Sequence, residues 1–216
     1  MSRLQSPKLK VLVHACVRMY SDEPKRVVYV DPFKVAIAAH DADVIFVTHP
    51  HGDHFSEKDI KKLSKPDTVL VSVEDCRAQA EAAGFSGERF VSVAPGQKIE
   101  VRGLTAEAVP AYNVGKAFHT QSKGWVGYVI NIDGKRVYVM GDTDDNEDVR
   151  AVQTDVLFVP IGGIYTMDMH EAAAYTNAVK PAKVVPLHYG ALDDTRRSAE
   201  GFAELIDSDI EVRIDI

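Results

Sequence analysis

The run Thr48-His49-Pro50-His51-Gly52-Asp53-His54 places three imidazoles and a carboxylate within six positions. His49 and His51 are two residues apart, so in an extended chain they point the same way. Gly52 permits a tight turn, which can aim Asp53 and His54 beside the first pair. Neutral imidazoles and carboxylates suit a borderline divalent ion, zinc first, with manganese or iron as alternatives. A lone histidine usually has a structural explanation. Four potential ligands at this spacing are hard to explain as a solvated turn. The chemistry they point to is metal-activated water, since a divalent ion lowers the pKa of water from about 15.7 to near 7.

The elements that must position this run are short apolar stretches rich in Val and Ile. They are Leu9–Val13, Val27–Val30, Val44–Val47, Val69–Val73, Val126–Ile130, Val137–Met140, Val156–Val159 and Val184–Leu187. Runs of this length and composition read as buried strands. Four of them end in polar or glycine positions: at His49, at Asp142, at Gly162-Gly163 and at His188. Asp31 ends a further one. Strand ends are where α/β folds place ligands. Helices are expected from Ser56 to about Leu63, from Glu74 to Ala83 with a stop at Gly84, from Asp168 with Glu171 at capping-box spacing, and from Thr195 to Ile206.

An internal echo organises these pieces. Lys25–Asp31 resembles Lys135–Asp142, and at nearly the same distance Ala42–His49 is echoed by Thr154–Ile161. Each half therefore has a strand, an acid, a spacer and a second strand. Chance likeness of two βαβ pieces is one reading. The other is α/β architecture in two similar αβ halves, packed sheet on sheet with helices outside: a four-layer αββα sandwich. The chain is read as a single domain spanning 1–216.

His-x-His-x-Asp-His resembles the signature of the metallo-β-lactamase superfamily. The likeness is strongest to its small single-domain hydrolases, a group that includes ascorbate-6-phosphate-lactonase-like proteins. It extends through Val30-Asp31-Pro32-Phe33, Gly141-Asp142-Thr143-Asp144, Pro160-Ile161-Gly162-Gly163, Tyr165-Thr166-Met167 and Pro186-Leu187-His188-Tyr189-Gly190. The resemblance implies one or two ions. His49 and His51 would hold a first, and Asp53, His54 and His188 a second, with Asp142 between them. Asp53 would also orient the attacking water. Asp31 would support the ligand loop from behind, a role a carboxylate serves by fixing a histidine through its other ring nitrogen; a plain Asp-Pro turn is the alternative.

The sequence departs from that pattern at Val109-Pro110-Ala111-Tyr112-Asn113, where the resemblance calls for another histidine at the first ion. His119 is the nearest later candidate. It is open to three readings: metal ligand, catalytic contact to substrate, or exposed loop residue. Tyr112, Asn113, Trp125, Tyr165 and Tyr189 are candidates to line the cleft or simply to pack. His14, His40 and His170 show no ligand spacing and are expected to be structural or exposed.

A formal net charge of −7 argues against a broad nucleic-acid or membrane-binding face. No stretch reaches the roughly 18 apolar residues of a membrane span. Two cysteines, Cys16 and Cys76, do not make a disulfide framework; cytoplasm is the expected location. No P-loop, dinucleotide fingerprint or Ser-His-Asp arrangement stands out. The resemblance also leaves no room for the inserted nucleic-acid domain, the flavin domain or the C-terminal helical region of some superfamily enzymes. The function expected is hydrolysis of a small-molecule ester, lactone, amide or phosphodiester. A sensor or binding protein that kept the metal and lost turnover is the alternative.

Overall fold

A computed structural model of the chain describes residues 8–191 and 196–216. Two sheets dominate it. The first runs in chain order through β1 (Leu9–Val13), β2 (Cys16–Asp22), β3 (Lys25–Val30), β4 (Ala42–Phe46), β5 (Ser64–Val73) and β6 (Phe90–Val93). The second is β7 (Lys98–Val101), β8 (Leu104–Pro110), β9 (Val126–Ile132), β10 (Lys135–Val139), β11 (Val156–Pro160), β12 (Lys183–Leu187) and β13 (Glu211–Val212). Pairing is antiparallel through β3 and parallel from β3 to β6. It is likewise antiparallel from β7 to β10 and parallel from β10 to β13. The echo is thus topological: β3–β4 and β10–β11 are each the first parallel pair of their sheet.

Side-chain alternation in the second sheet shows why its central strands are apolar on both faces. Along β10, Val137 and Val139 join the core between the sheets, while Tyr138 joins the core under the outer helices. In β11, Phe158 turns inward and Leu157 and Val159 outward. A strand alternates faces residue by residue, so a strand buried twice needs a continuous apolar run. The outer core is closed by α3 (Glu147–Arg150), α4 (Met169–Val179) and α5 (Arg196–Glu204), through Val149, Ala172, Tyr175 and Phe202. On the first sheet, α1 (Glu57–Leu63) and α2 (Arg77–Ala82) bury Ile60, Leu63 and Ala80. This is the expected four-layer αββα sandwich.

Ser56 caps α1 through a bond from the Asp59 amide, and Asp168 and Glu171 form the expected capping box on α4. The helix expected over 74–83 is divided into a 3₁₀ turn at Glu74–Cys76 and α2. The expected start of the last helix, Thr195, lies outside the described residues. Among the described residues no helix is long and apolar enough to cross a membrane.

The halves meet closely where chemistry is concentrated. The Tyr128 hydroxyl donates to the Val47 carbonyl across the sandwich at 3.0 Å, inside the core. Gly141 has φ +67°, and a Cβ there would stand 3.1 Å from both Cβ and Cγ2 of Thr48. Gly134, in the β9–β10 turn, has φ +77° but open space around it. Gly141→Ala is therefore expected to cost about 1–2 kcal/mol for its left-handed backbone and about 1–3 kcal/mol for crowding. Gly134→Ala bears only the first cost. Chemical denaturation of the two variants checks this; equal losses would show that the Thr48–Gly141 contact is not tight.

Candidate metal centre

Each polar residue of the cluster leaves a strand end or a turn at one rim of the sandwich. Asp31 follows β3, the His49–His54 loop follows β4, Asp142 follows β10 and His188 follows β12. His119 comes from the loop between β8 and β9, and His14 from the two-residue turn between β1 and β2. In the main loop, the amides of His54 and Phe55 both donate to the His51 carbonyl, at 3.0 and 2.7 Å. That closes the turn and returns His54 beside His49. Phe55, buried in the hydrophobic core, anchors its exit.

Asp31 is fully buried and ties this loop to the neighbouring strand. Its Oδ1 accepts from the Thr48 amide at 2.8 Å, and its Oδ2 from the Thr48 hydroxyl and from His54 Nδ1, both at 2.8 Å. That contact places a His54 proton on Nδ1 and turns Nε2 inward, toward the other residues of the cluster. His49 Nδ1 lies 3.0 Å from the Thr48 hydroxyl, which frees its Nε2 in the same sense. Trp125 stacks on His49 at 4.9 Å and meets His51 and His119 in T-shaped contacts. The indole is itself held by a bond from Nε1 to Asp75.

Two groups of ligand atoms result. In the first, His51 Nδ1 lies 3.0 Å from His49 Nε2 and 3.2 Å from His119 Nε2. One ring nitrogen has a single proton or a single lone pair in its plane, so hydrogen bonding cannot satisfy both contacts; a cation can. In the second, Asp53 Oδ2 lies 3.5 Å from both His54 Nε2 and His188 Nε2. Asp142 stands between the groups. Its Oδ1 is 3.2 Å from His54 Nε2, and its Oδ2 is 3.2 Å from His188, 3.3 Å from His119 and 3.9 Å from His49. Ligands about 2.0–2.2 Å from a tetrahedral zinc stand about 3.3–3.6 Å apart, so these spacings fit. His54 Nε2, His188 Nε2 and Asp142 Oδ1 are buried without a hydrogen-bond partner. Orphaned polar atoms are rare and costly in a protein interior, and here they converge. The donor set and its geometry fit one or two divalent ions.

The electrostatics agree. Burial alone would raise the Asp142 carboxyl, but His188 and His54 overcome it and hold Asp142 well below the usual carboxylate range. Burial would likewise depress His188, yet Asp142 and Asp53 push it up to about 9. His54 is raised by Asp142 and Asp31 against its burial. His49 and His51 are lowered, by burial first and then by neighbouring imidazoles. Ion-free, the Asp53 side of the centre holds protons that an ion must displace.

The structure thus brings together His49, His51, Asp53, His54, His119, Asp142 and His188. Tyr112 stands elsewhere: its hydroxyl donates to Asp148. Asn113 braces His119 instead. Its backbone amide donates to the His119 carbonyl at 2.8 Å, and its side-chain Nδ2 donates to the Tyr165 carbonyl at 2.7 Å and lies 3.4 Å from His119 Nδ1. His40 and His170 are exposed and outside the cluster. His14 is buried, within the structural alternative, and its Nε2 lies 3.2 Å from Asp53 Oδ2, so it also touches the cluster.

A cleft of about 260 Å³ opens onto the cluster, lined by His51, Asp53, Phe118, His119, Asp142, Tyr165 and His188. Hollows of about 320 and 310 Å³ elsewhere contain no histidine and no converging ligand atoms, so size does not mark the site.

The family model of the beta-lactamase superfamily domain matches residues 8–188. A UPF0173 metal-dependent hydrolase of Thermoplasma acidophilum is 32% identical over 203 residues, covering 89% of this chain and 87% of its own. One of Thermus thermophilus is 32% identical over 209 residues, covering 91% and 90%. A solved structure from Parabacteroides distasonis, assigned as a metal-dependent hydrolase, superposes with a TM-score of 0.79 at 29% identity, covering 96% of this chain and 91% of that one.

The Asp31 tether makes a specific demand. Asp31→Asn replaces one of the two acceptor oxygens with a donor. Zinc affinity, read by chelator competition, is expected to fall about 10–100-fold. Unchanged affinity would show that the tether does not orient His54.

Proposed function

The chain belongs to the beta-lactamase superfamily domain family, and from that premise we propose that it is a metal-dependent hydrolase of a small molecule. His49, His51 and His119 would hold one divalent ion, zinc before manganese or iron. Asp53, His54 and His188 would hold a second, with Asp142 placed between the two groups. The observation that carries this reading is the convergence of buried, unpartnered ligand atoms around Asp142. An ion held there supplies Lewis acidity, lowering the pKa of water to near 7 and polarising the group under attack.

The chain's own groups do the rest. Both carboxylates line the cleft, and the Asp53 side chain is 20% exposed against 3% for Asp142, so Asp53 is the one more open to an incoming molecule. It accepts a hydrogen bond from the incoming water and orients it. Trp125 covers the buried side of His49 and keeps bulk solvent from the ligand nitrogens. Phe118 and Tyr165 meet edge to face at 4.8 Å and form an aromatic wall, 48% and 37% exposed. That wall favours a substrate with an apolar or aromatic group beside the scissile ester, lactone, amide or phosphodiester bond. The sensor alternative drew on the missing histidine near Tyr112. His119 stands in that part of the cluster, so the motive for it is gone.

Chelated and zinc-reloaded protein, assayed on chromogenic alkyl and aryl esters, lactones and phosphodiesters, tests the reading. Hydrolysis is expected only in the reloaded form, fastest with aryl or other apolar substituents. Phe118→Ala is expected to raise KM several-fold with little change in kcat, losing about 1 kcal/mol of apolar contact. No zinc-dependent turnover across the panel would overturn it.

A further inference from the structure

His14 is a buried imidazole that the proposed reaction does not use. It occupies the β1–β2 turn, where Val13 pairs with Cys16, in the left-handed backbone region at φ +52°. That conformation disfavours a side-chain-bearing residue by roughly 1 kcal/mol or more. What the turn gains is placement. The His14 carbonyl accepts from the His188 amide at 3.1 Å, and the two rings lie 4.0 Å apart. Its Nε2 lies 3.2 Å from Asp53 Oδ2, the oxygen that faces His54 and His188.

Two roles fit a ring nitrogen at this distance: a further metal ligand, or a hydrogen-bond donor to a ligand. The other face of the ring separates them. His14 Nδ1 is buried without a partner. An Nε2 that ligates a metal leaves the proton on Nδ1, and a ligating histidine almost always donates that proton to an acceptor. Here the N–H would be buried with nothing to accept it, a cost of about 1–3 kcal/mol. With the proton on Nε2, the donor is satisfied by Asp53 and only a neutral lone pair is left bare. Asp53 Oδ2 has two lone pairs, one for the His14 proton and one toward the space shared with His54 and His188.

We infer that His14 is a positioning residue of the second ion: its Nε2–H donates to Asp53 Oδ2 and fixes that carboxylate in the orientation that an ion held with His54 and His188 requires. This rests on the reading of the cluster as a metal centre. The wild-type protein separates the two: if it takes up no second ion, the centre itself is misread.

The test is zinc titration with chelator competition on wild type, His14→Ala and His14→Gln, with Co²⁺ absorption recorded at each equivalent. Gln can place an amide N–H near the position of Nε2–H but is a poor metal ligand. In His14→Ala the second equivalent is expected to bind about 10–100-fold more weakly, with the first unchanged. In His14→Gln it is expected to recover to within a few-fold of wild type, with a wild-type Co²⁺ spectrum. Should the alanine variant fail to fold, the glutamine variant alone decides. Loss of the second ion in His14→Gln would overturn the inference in favour of a ligand role. Wild-type binding of both ions by a folded His14→Ala would overturn it altogether.

Discussion

A carboxylate buried among imidazole nitrogens is the constraint on which this structure turns. Asp142 is 3% exposed and meets His54, His119 and His188 at 3.2–3.3 Å. An unpaired charge in an interior costs several kcal/mol unless a partner neutralises it. Protonated imidazoles can supply that partner in part, and the elevated His54 and His188 record the demand. They cannot satisfy all the converging lone pairs at once. A divalent cation does so without requiring any of the rings to be protonated.

The fold makes such a cluster tolerable by placing it where two rigid sheets end. Parallel strands β3 and β4 deliver Asp31 and the histidine loop as neighbours, and β10 and β12 deliver Asp142 and His188 from the other half. His14, Asp31, His119 and His188 all have left-handed φ values without being glycine. Strain of this kind persists only where surrounding contacts over-determine it, and it collects at functional sites. Here the surrounding contacts are the buried Asp31–Thr48–His54 bonds and the packed core beneath them.

Much of this was legible in the sequence because two-sided burial leaves an unmistakable trace. Strands such as β10 and β11, covered on both faces, must be continuously apolar, and their polar ends mark the centre. Strands β2, β7 and β8 went unread because they alternate: Arg18, Glu100 and Thr105 sit on exposed or half-buried faces and break the run. The ligand loop was legible because four donors lie within six residues. His14 was not, since a turn that packs against residues 39 and 174 positions away leaves no local spacing to read. His119 was visible only as an isolated imidazole; its place depends on the Asn113 brace and on Trp125, both set by tertiary packing.

The most direct test of the account is a crystal structure of the zinc-loaded protein with anomalous scattering at the zinc edge. The account predicts two peaks about 3.5–4 Å apart, flanking Asp142. One should contact His49, His51 and His119, and the other Asp53, His54 and His188. No peak between these side chains in protein soaked with excess zinc, or zinc bound only elsewhere, would contradict it.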